Sequence, residues 1–304
     1  MHMAALTRVR GWRPTLRAVA ALLLAGVRAL VFSSLWIAAS VAALTAGCTA
    51  LLGLEPDPGA ALLLFCSTLF IYAFDHQLDA RAPGAAPSPA RAVVLHPASV
   101  ALTVAAGLAT LALVARADLA TRLVFGAYAG SGVLYGLPCI PQRGPSGLRW
   151  LRLKDIPYTK GFVVSAAIAI GAVGIPAARA SAAIAPLHLA GAGLLAFTLI
   201  VINTHLFDVP DLEEDRRCGV RTLASRLGLP GLRRLSGAAA LFGALVACLT
   251  WTAAPAASVG FVVGLGASWA FALAVTARTP RLVYGTVLEA LMGAPALMTA
   301  LQVA

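Results

Sequence analysis

Two short acidic stretches interrupt a chain that is otherwise poor in charge. The first, Phe74-Asp75-His76-Gln77-Leu78-Asp79, ends an apolar run, and in continued helix Asp75 and Asp79 fall at i and i+4 on one face. Carboxylates sharing a face repel, and at the end of an apolar segment the pair is costly unless a cation bridges it. The second stretch is Phe207-Asp208-Val209-Pro210-Asp211-Leu212-Glu213-Glu214-Asp215, which in a helical register places Asp208, Asp211 and Asp215 at i, i+3 and i+7. Pro210 lacks a backbone donor, so the helix is expected to bend or restart near Asp208. Carboxylate oxygens with retained water suit Mg2+. Facing each other, the two clusters would hold divalent ions and, through them, a polyanion such as diphosphate.

Basic residues able to hold the remaining oxygens of such an anion are also present. Arg149, Arg152, Lys154 and Lys160 lie between the two acidic stretches, and Arg216, Arg217 and Arg221 follow the second. Asn203, the single Asn of the chain, sits just over one turn before Asp208 and is a candidate amide donor to the same site.

The elements that must position these groups follow from composition. Of 304 residues, 60% are apolar and only 12% charged, against roughly 25% charged in soluble domains, and mean hydropathy is +0.87. Such a chain cannot present a soluble surface, whereas membrane helices need about 20 apolar residues each. Apolar runs at 29–52, 59–75, 92–115, 119–138, 159–177, 184–207, 232–254, 256–276 and 282–301 predict nine spans. The expected fold is all-α, a polytopic membrane helical bundle. Residues 1–28 form a basic segment whose apolar part, between Arg17 and Arg28, is too short to cross and fits an interfacial helix. Residues 29–304 are expected to form one transmembrane domain. A signal peptide is the competing reading of the start, but no small-residue cleavage site follows and the apolar sequence resumes at once after Arg28.

A net charge of +11 and a pI near 10.3 raise the question of nucleic acid. The basic residues lie between apolar runs rather than in a stripe with interleaved aromatics, which excludes that partner. Nineteen of the 23 Lys and Arg fall on the side of the N-terminus and of the connections after spans two, four, six and eight. Only Arg116, Arg122 and Arg179 fall on the other, with Arg28 at the entry of the first span. The positive-inside rule then puts the N-terminus in the cytoplasm. Eight of the twelve acidic residues, the two stretches included, lie on the same face. Arg and Ala usage suggests a GC-rich bacterial genome, hence a bacterial cytoplasmic membrane with the site toward the cytoplasm. Cys48, Cys66, Cys139, Cys218 and Cys248 show no metal spacing and read as small core residues.

These residues resemble the UbiA superfamily of intramembrane prenyltransferases. The stretch DVPDLEEDRRCGVRTL, Asp208 to Leu223, looks like the family's DxxDxxxD block with its trailing GxxTL. Asp75 with Asp79 matches the DxxxD half of the first aspartate motif, and Tyr135 to Pro138 and Arg152 to Pro157 resemble the YxxP and RLKxxP segments. Nine spans agree with the family architecture. One position departs: Ile71, followed by Tyr72, stands where the family usually has Asn.

The resemblance implies Mg2+-dependent transfer of a prenyl group from an isoprenoid diphosphate to a lipophilic, typically aromatic, acceptor in the membrane. It implies Asp75, Asp79, Asp208, Asp211 and Asp215 as metal ligands, and Tyr135, Arg152, Lys154, Lys160 and Arg216 as donor-site contacts. His76 and His205, beside the clusters, are either proton acceptors or hydrogen-bonded neighbours. A terpene cyclase, a transferase to a non-aromatic acceptor and a protein that keeps the fold without the activity stay open. A transporter would need polar groups at mid-membrane, but the central parts of the spans are almost free of ionisable residues, with Glu289 and His188 the nearest exceptions.

Overall fold

The computed structural model describes residues 3–82, 88–144, 147–213, 221–252, 254–276 and 278–303. Within them lie twelve α-helices: α1 (Met3–Phe32), α2 (Leu35–Leu51), α3 (Pro58–Arg81), α4 (Pro89–Val94), α5 (Pro97–Arg116), α6 (Leu119–Gly136), α7 (Lys160–Arg179), α8 (Pro186–Phe207), α9 (Leu223–Thr250), α10 (Pro255–Ala274), α11 (Arg281–Leu291) and α12 (Ala294–Val303). The helical membrane bundle expected from the sequence is what forms. The connection between α6 and α7 adds a small antiparallel hairpin, β1 (Ile140–Gly144) with β2 (Gly147–Leu151), which pairs Gln142 with Arg149.

Six described helices, α3, α5, α7, α8, α9 and α10, are long and apolar enough to cross a membrane. Two bent pairs, residues 18–51 in α1 and α2 and the pair α11 and α12, bring the number to eight. The remaining expected span, the fourth at 119–138, corresponds to α6, whose 18 residues include Arg122 and four Gly and fall below that apolarity. The first span also begins differently. Helix α1 runs on through Arg28 and breaks at Ser33 and Ser34, where α2 turns away by 66°. Ser34 takes a left-handed φ of 67° that no helix interior accommodates.

Local sequence explains most helix ends. Asp57 and Asp118 cap α3 and α6 by accepting from the amides of Ala60 (2.9 Å) and Thr121 (2.7 Å). Thr222, the Thr of the GxxTL segment, caps α9 through a reciprocal box with Ser225. Two arginines close helices from outside. Arg122 donates to the carbonyls of Val114 and Ala115 at the end of α5, and Arg233 to those of Ala272, Leu273 and Val275 at the end of α10.

The core gathers side chains from α2, α3, α7, α8 and α10, among them Leu44, Leu64, Ile175, Leu199 and Phe261. Leucines on the outer helices, such as Leu108, Leu111, Leu241 and Leu245, are exposed, the pattern of a surface solvated by lipid tails. Small residues set the closest approaches. A Cβ on Gly47 or Gly260 would meet Pro295, so α12 packs down on α2 and α10 only because both positions lack a side chain. Cys48 and Cys66 are buried as expected, but Cys139 and Cys248 are exposed, lying in the connection after α6 and on the outside of α9.

Candidate active site

Helix α3 continues past its apolar stretch to Arg81, so Asp75 and Asp79 share a face as their spacing predicts. Their partner comes from the far end of the hairpin connection. A single 3-10 turn, Leu153–Asp155, carries Lys154 back over α3. Its Nζ donates to Asp75 Oδ1 at 2.9 Å and to Asp79 Oδ1 and Oδ2 at 3.2 and 3.0 Å. Arg152 adds a longer contact to Asp79 Oδ1 at 3.4 Å. The Lys154 side chain is only 11% exposed, and its ammonium also lies 5.6 Å from the centre of the Tyr135 ring. Asp75 fits against α6 because Gly136 is there: a Cβ at that position would lie 3.1 Å from Asp75 Oδ1. One turn earlier Ile71, at the position of the family's usual Asn, packs against Gly132 in the same way.

The second acidic stretch does not continue α8. The helix stops at Phe207, Asp208 is its C-cap, and turns follow in which the amides of Asp211 and Leu212 bond to the carbonyls of Asp208 and Val209. Pro210 accounts for the break. Asp208 and Asp211 are therefore set by a turn rather than by the helical face the spacing predicts. The Asp208 carboxylate is buried and accepts from Lys160 Nζ at 2.9 Å, and Asp211 Oδ1 accepts from Arg281 Nη1 at 3.1 Å. Asp215, Arg216 and Arg217 lie outside the described residues.

The connection into α7 links these halves, because Lys154 rests on Asp75 and Asp79 while Lys160, six residues on, rests on Asp208. The ends of α3 and α8 thus flank one polar region. The loops over it are tied together where the Tyr158 amide donates to the carbonyl of Arg221 at 2.9 Å.

His76 Nδ1 is 3.2 Å from Ser34 Oγ, which fixes the ring against the break between α1 and α2. His205 packs edge-on to Phe162 and over Gly161, and among the described residues neither ring nitrogen has a hydrogen-bond partner. Asn203 does not join the aspartates. Its Nδ2 donates to the carbonyl of Leu288 and its Oδ1 accepts from Ser268, both at 2.9 Å, so the amide ties α8 to α11 and α10. Arg281 is the contact that sequence reasoning missed. It counts there only as a topological charge, and nothing local marks a partner 70 residues away.

Among the described residues no three His, Cys, Asp or Glu side chains are gathered closely enough to hold a metal as one group. The donor set nevertheless suits a hard cation. Asp75 and Asp79 offer three oxygens within 3.2 Å of one point, the position of the Lys154 ammonium.

A sequence model described as the UbiA prenyltransferase family matches residues 72–292. The chain belongs to that family. The matched region takes in both acidic stretches, the hairpin connection and α11. No curated protein matches the chain in sequence. Solved structures with a similar fold include a UbiA homolog from Archaeoglobus fulgidus, with a TM-score of 0.56 and 15% identity over 90% of this chain and 98% of that one. A UbiA homolog from the same organism bound to GPP and Mg2+ gives 0.52 and 16% over 90% and 99%. The apo structure of a UbiA homolog from Aeropyrum pernix K1 gives 0.55 and 16% over 86% and 96%. As a UbiA-family chain with several membrane-length helices, the protein is an integral, multi-pass membrane prenyltransferase homologue.

Proposed function

We propose that this UbiA-family protein transfers a prenyl group from an isoprenoid diphosphate to a lipophilic, aromatic acceptor within the membrane. The reading rests on one observation: Asp75 and Asp79 converge on a single cation position, that of Lys154, at the end of α3, and Lys160, six residues further along the same connection, reaches Asp208 at the end of α8. The donor and the metal are supported by the Archaeoglobus fulgidus homolog bound to GPP and Mg2+.

Asp75, Asp79, Asp208 and Asp211, with Asp215, would hold Mg2+. The ion, when bound, neutralises diphosphate oxygens and so makes diphosphate a better leaving group. This chain's own residues do the rest. Lys154, Arg152 and Lys160, which rest on the carboxylates, are placed to turn onto diphosphate oxygens with charge-assisted hydrogen bonds. The Tyr135 hydroxyl and, by the family resemblance, Arg216 would add to that shell. The apolar helices below it keep water away from the allylic carbon as its bond to oxygen lengthens. The asymmetry of Lys and Arg puts the site on the cytoplasmic side.

The test is release of diphosphate by the full chain in lipid nanodiscs, with farnesyl, geranylgeranyl and longer diphosphates as donors. Mg2+-dependent release that EDTA abolishes is expected, together with prenylated lipids or quinones seen by mass spectrometry only in cells that carry the protein. No release from any donor overturns the reading.

A further inference from the structure

Tyr158 lies two residues before Lys160, in the connection between β2 and α7, and takes a left-handed φ of 66°. A bulky side chain crowds its own backbone in that region, so the conformation costs free energy and persists only where its surroundings hold it. Two contacts do so. The Tyr158 amide donates to the carbonyl of Arg221 at 2.9 Å, and the Arg226 guanidinium lies over the Tyr158 ring, 5.4 Å from its centre.

The two ends of this link are unequally fixed. Arg221 and Arg226 flank the start of α9, which the reciprocal box of Thr222 and Ser225 sets. Helix α7 begins without such a device. Thr159, its N-cap, makes no side-chain bond to the first turn and instead turns its hydroxyl backward, onto the carbonyls of Ile156 at 2.9 Å and Leu153 at 3.3 Å. Where α7 starts, and with it the reach of Lys160 Nζ to Asp208 Oδ1 at 2.9 Å, therefore depends on what holds Tyr158.

We propose that Tyr158 is a positioning residue: held by Arg226 and by the Arg221 carbonyl, it keeps Lys160 seated on Asp208. The segment that enters α9 thus sets the place of a cation that belongs to α7. The assignment deepens the prenyl-transfer reading and rests on it, because Lys160 serves that reaction only as a contact to the donor's diphosphate. The seat of the lysine can nevertheless be measured without turnover.

The experiment is acetylation of the full chain in nanodiscs by sulfo-N-hydroxysuccinimide acetate, followed by mass spectrometry at Lys154 and Lys160, the two lysines of the chain. An amine held in an ion pair reacts slowly, so the rate reports how firmly each lysine is seated. Tyr158→Leu should raise the rate at Lys160 about threefold or more, the scale of one exposed cation–π contact, and leave Lys154 unchanged. Tyr158→Gly, which keeps the amide and suits the left-handed backbone but lacks the ring, should do the same, as should Arg226→Met from the other side of the contact. Tyr158→Phe, which keeps the ring, should match the wild type. Isothermal titration of the same proteins with farnesyl thiodiphosphate and Mg2+ should show weaker binding by Tyr158→Leu, and that substitution should add nothing to Lys160→Met, because it acts through the lysine. An unchanged rate at Lys160 in the ring-less and Arg226 variants, an equal rise at both lysines, or additive losses in the titration overturns the proposal and leaves Tyr158 as a loop contact only. Failure of the wild type to bind the thiodiphosphate counts against the donor reading alone, because the acetylation rates stand without it.

Discussion

Lys154 and Asp75 are 79 residues apart and meet at 2.9 Å, with the ammonium seated between Asp75 and Asp79 where a metal ion would be expected. If the carboxylates hold Mg2+ as proposed, the lysine and the ion would compete for the same oxygens until an anion arrives. Lys154→Met is expected to leave Mg2+ binding at least as strong as in the wild type, yet to weaken binding of farnesyl thiodiphosphate about tenfold or more, a loss of ~1.4 kcal/mol. Isothermal titration of each ligand separates the two effects. Parallel losses for metal and analogue would show that Lys154 only holds the fold together.

Asp208 and Lys160 form the more buried of the charge pairs at the end of α8. Asp208→Asn should reduce diphosphate release by roughly 100-fold, the scale of losing one charge-stabilising group in a site. It should also lower the melting temperature by stranding the ammonium. Removing both partners in Asp208→Asn with Lys160→Met should recover stability but not activity, because breaking a pair costs more than replacing it. Recovery of release in the double variant would exclude a role for Asp208 in the reaction.

Gly161 leaves the space that the His205 ring fills, and a Cβ there would collide with it. Gly161→Ala is expected to destabilise the protein by about 1–3 kcal/mol, as overpacking does. Adding His205→Ala should return most of that loss. Thermal unfolding of the three variants decides whether the glycine is required for packing against this histidine.

On the opposite side from the acidic sites, Asp57 accepts from Arg179 at 2.6 Å between the start of α3 and the end of α7. Burial favours the neutral acid, but the Arg179 hydrogen bond and charge, with the Ala60 amide, outweigh it and hold the carboxyl below its usual range. The folded value is lower than the unfolded one of about 3.9. The contribution is therefore full above that unfolded value and is lost as pH falls through the folded one. Asp57→Asn keeps the cap and removes the charge. At neutral pH it should cost no more than about 1 kcal/mol, because the pair is partly solvated, and the difference from wild type should vanish in strong acid. A difference independent of pH would assign the loss to the cap.

Part of the site is legible in the residues alone. Asp75 and Asp79 share a face because α3 is unbroken, and i, i+4 spacing on a helix requires it. The break at Asp208 is legible too, since Pro210 has no amide to give; that Asp208 and Asp211 then sit on a turn follows from where the helix stops. Thr222 reads only as part of a motif in the sequence, and its capping bond supplies the physical reason for it.

Residue types and periodicity thus determined that the chain is a membrane bundle, where its charges cluster, and which two helices end in acids, because hydropathy and helical repeat are local properties. Only the tertiary structure decided which cations sit on which carboxylates, that Asn203 serves packing while Arg281 meets Asp211, and that Glu289 has a buried oxygen with no hydrogen-bond partner among the described residues. Those pairings span 48 residues or more. They depend on how helices cross at Gly136 and Gly161, and no local pattern encodes which distant side chain a missing Cβ will admit.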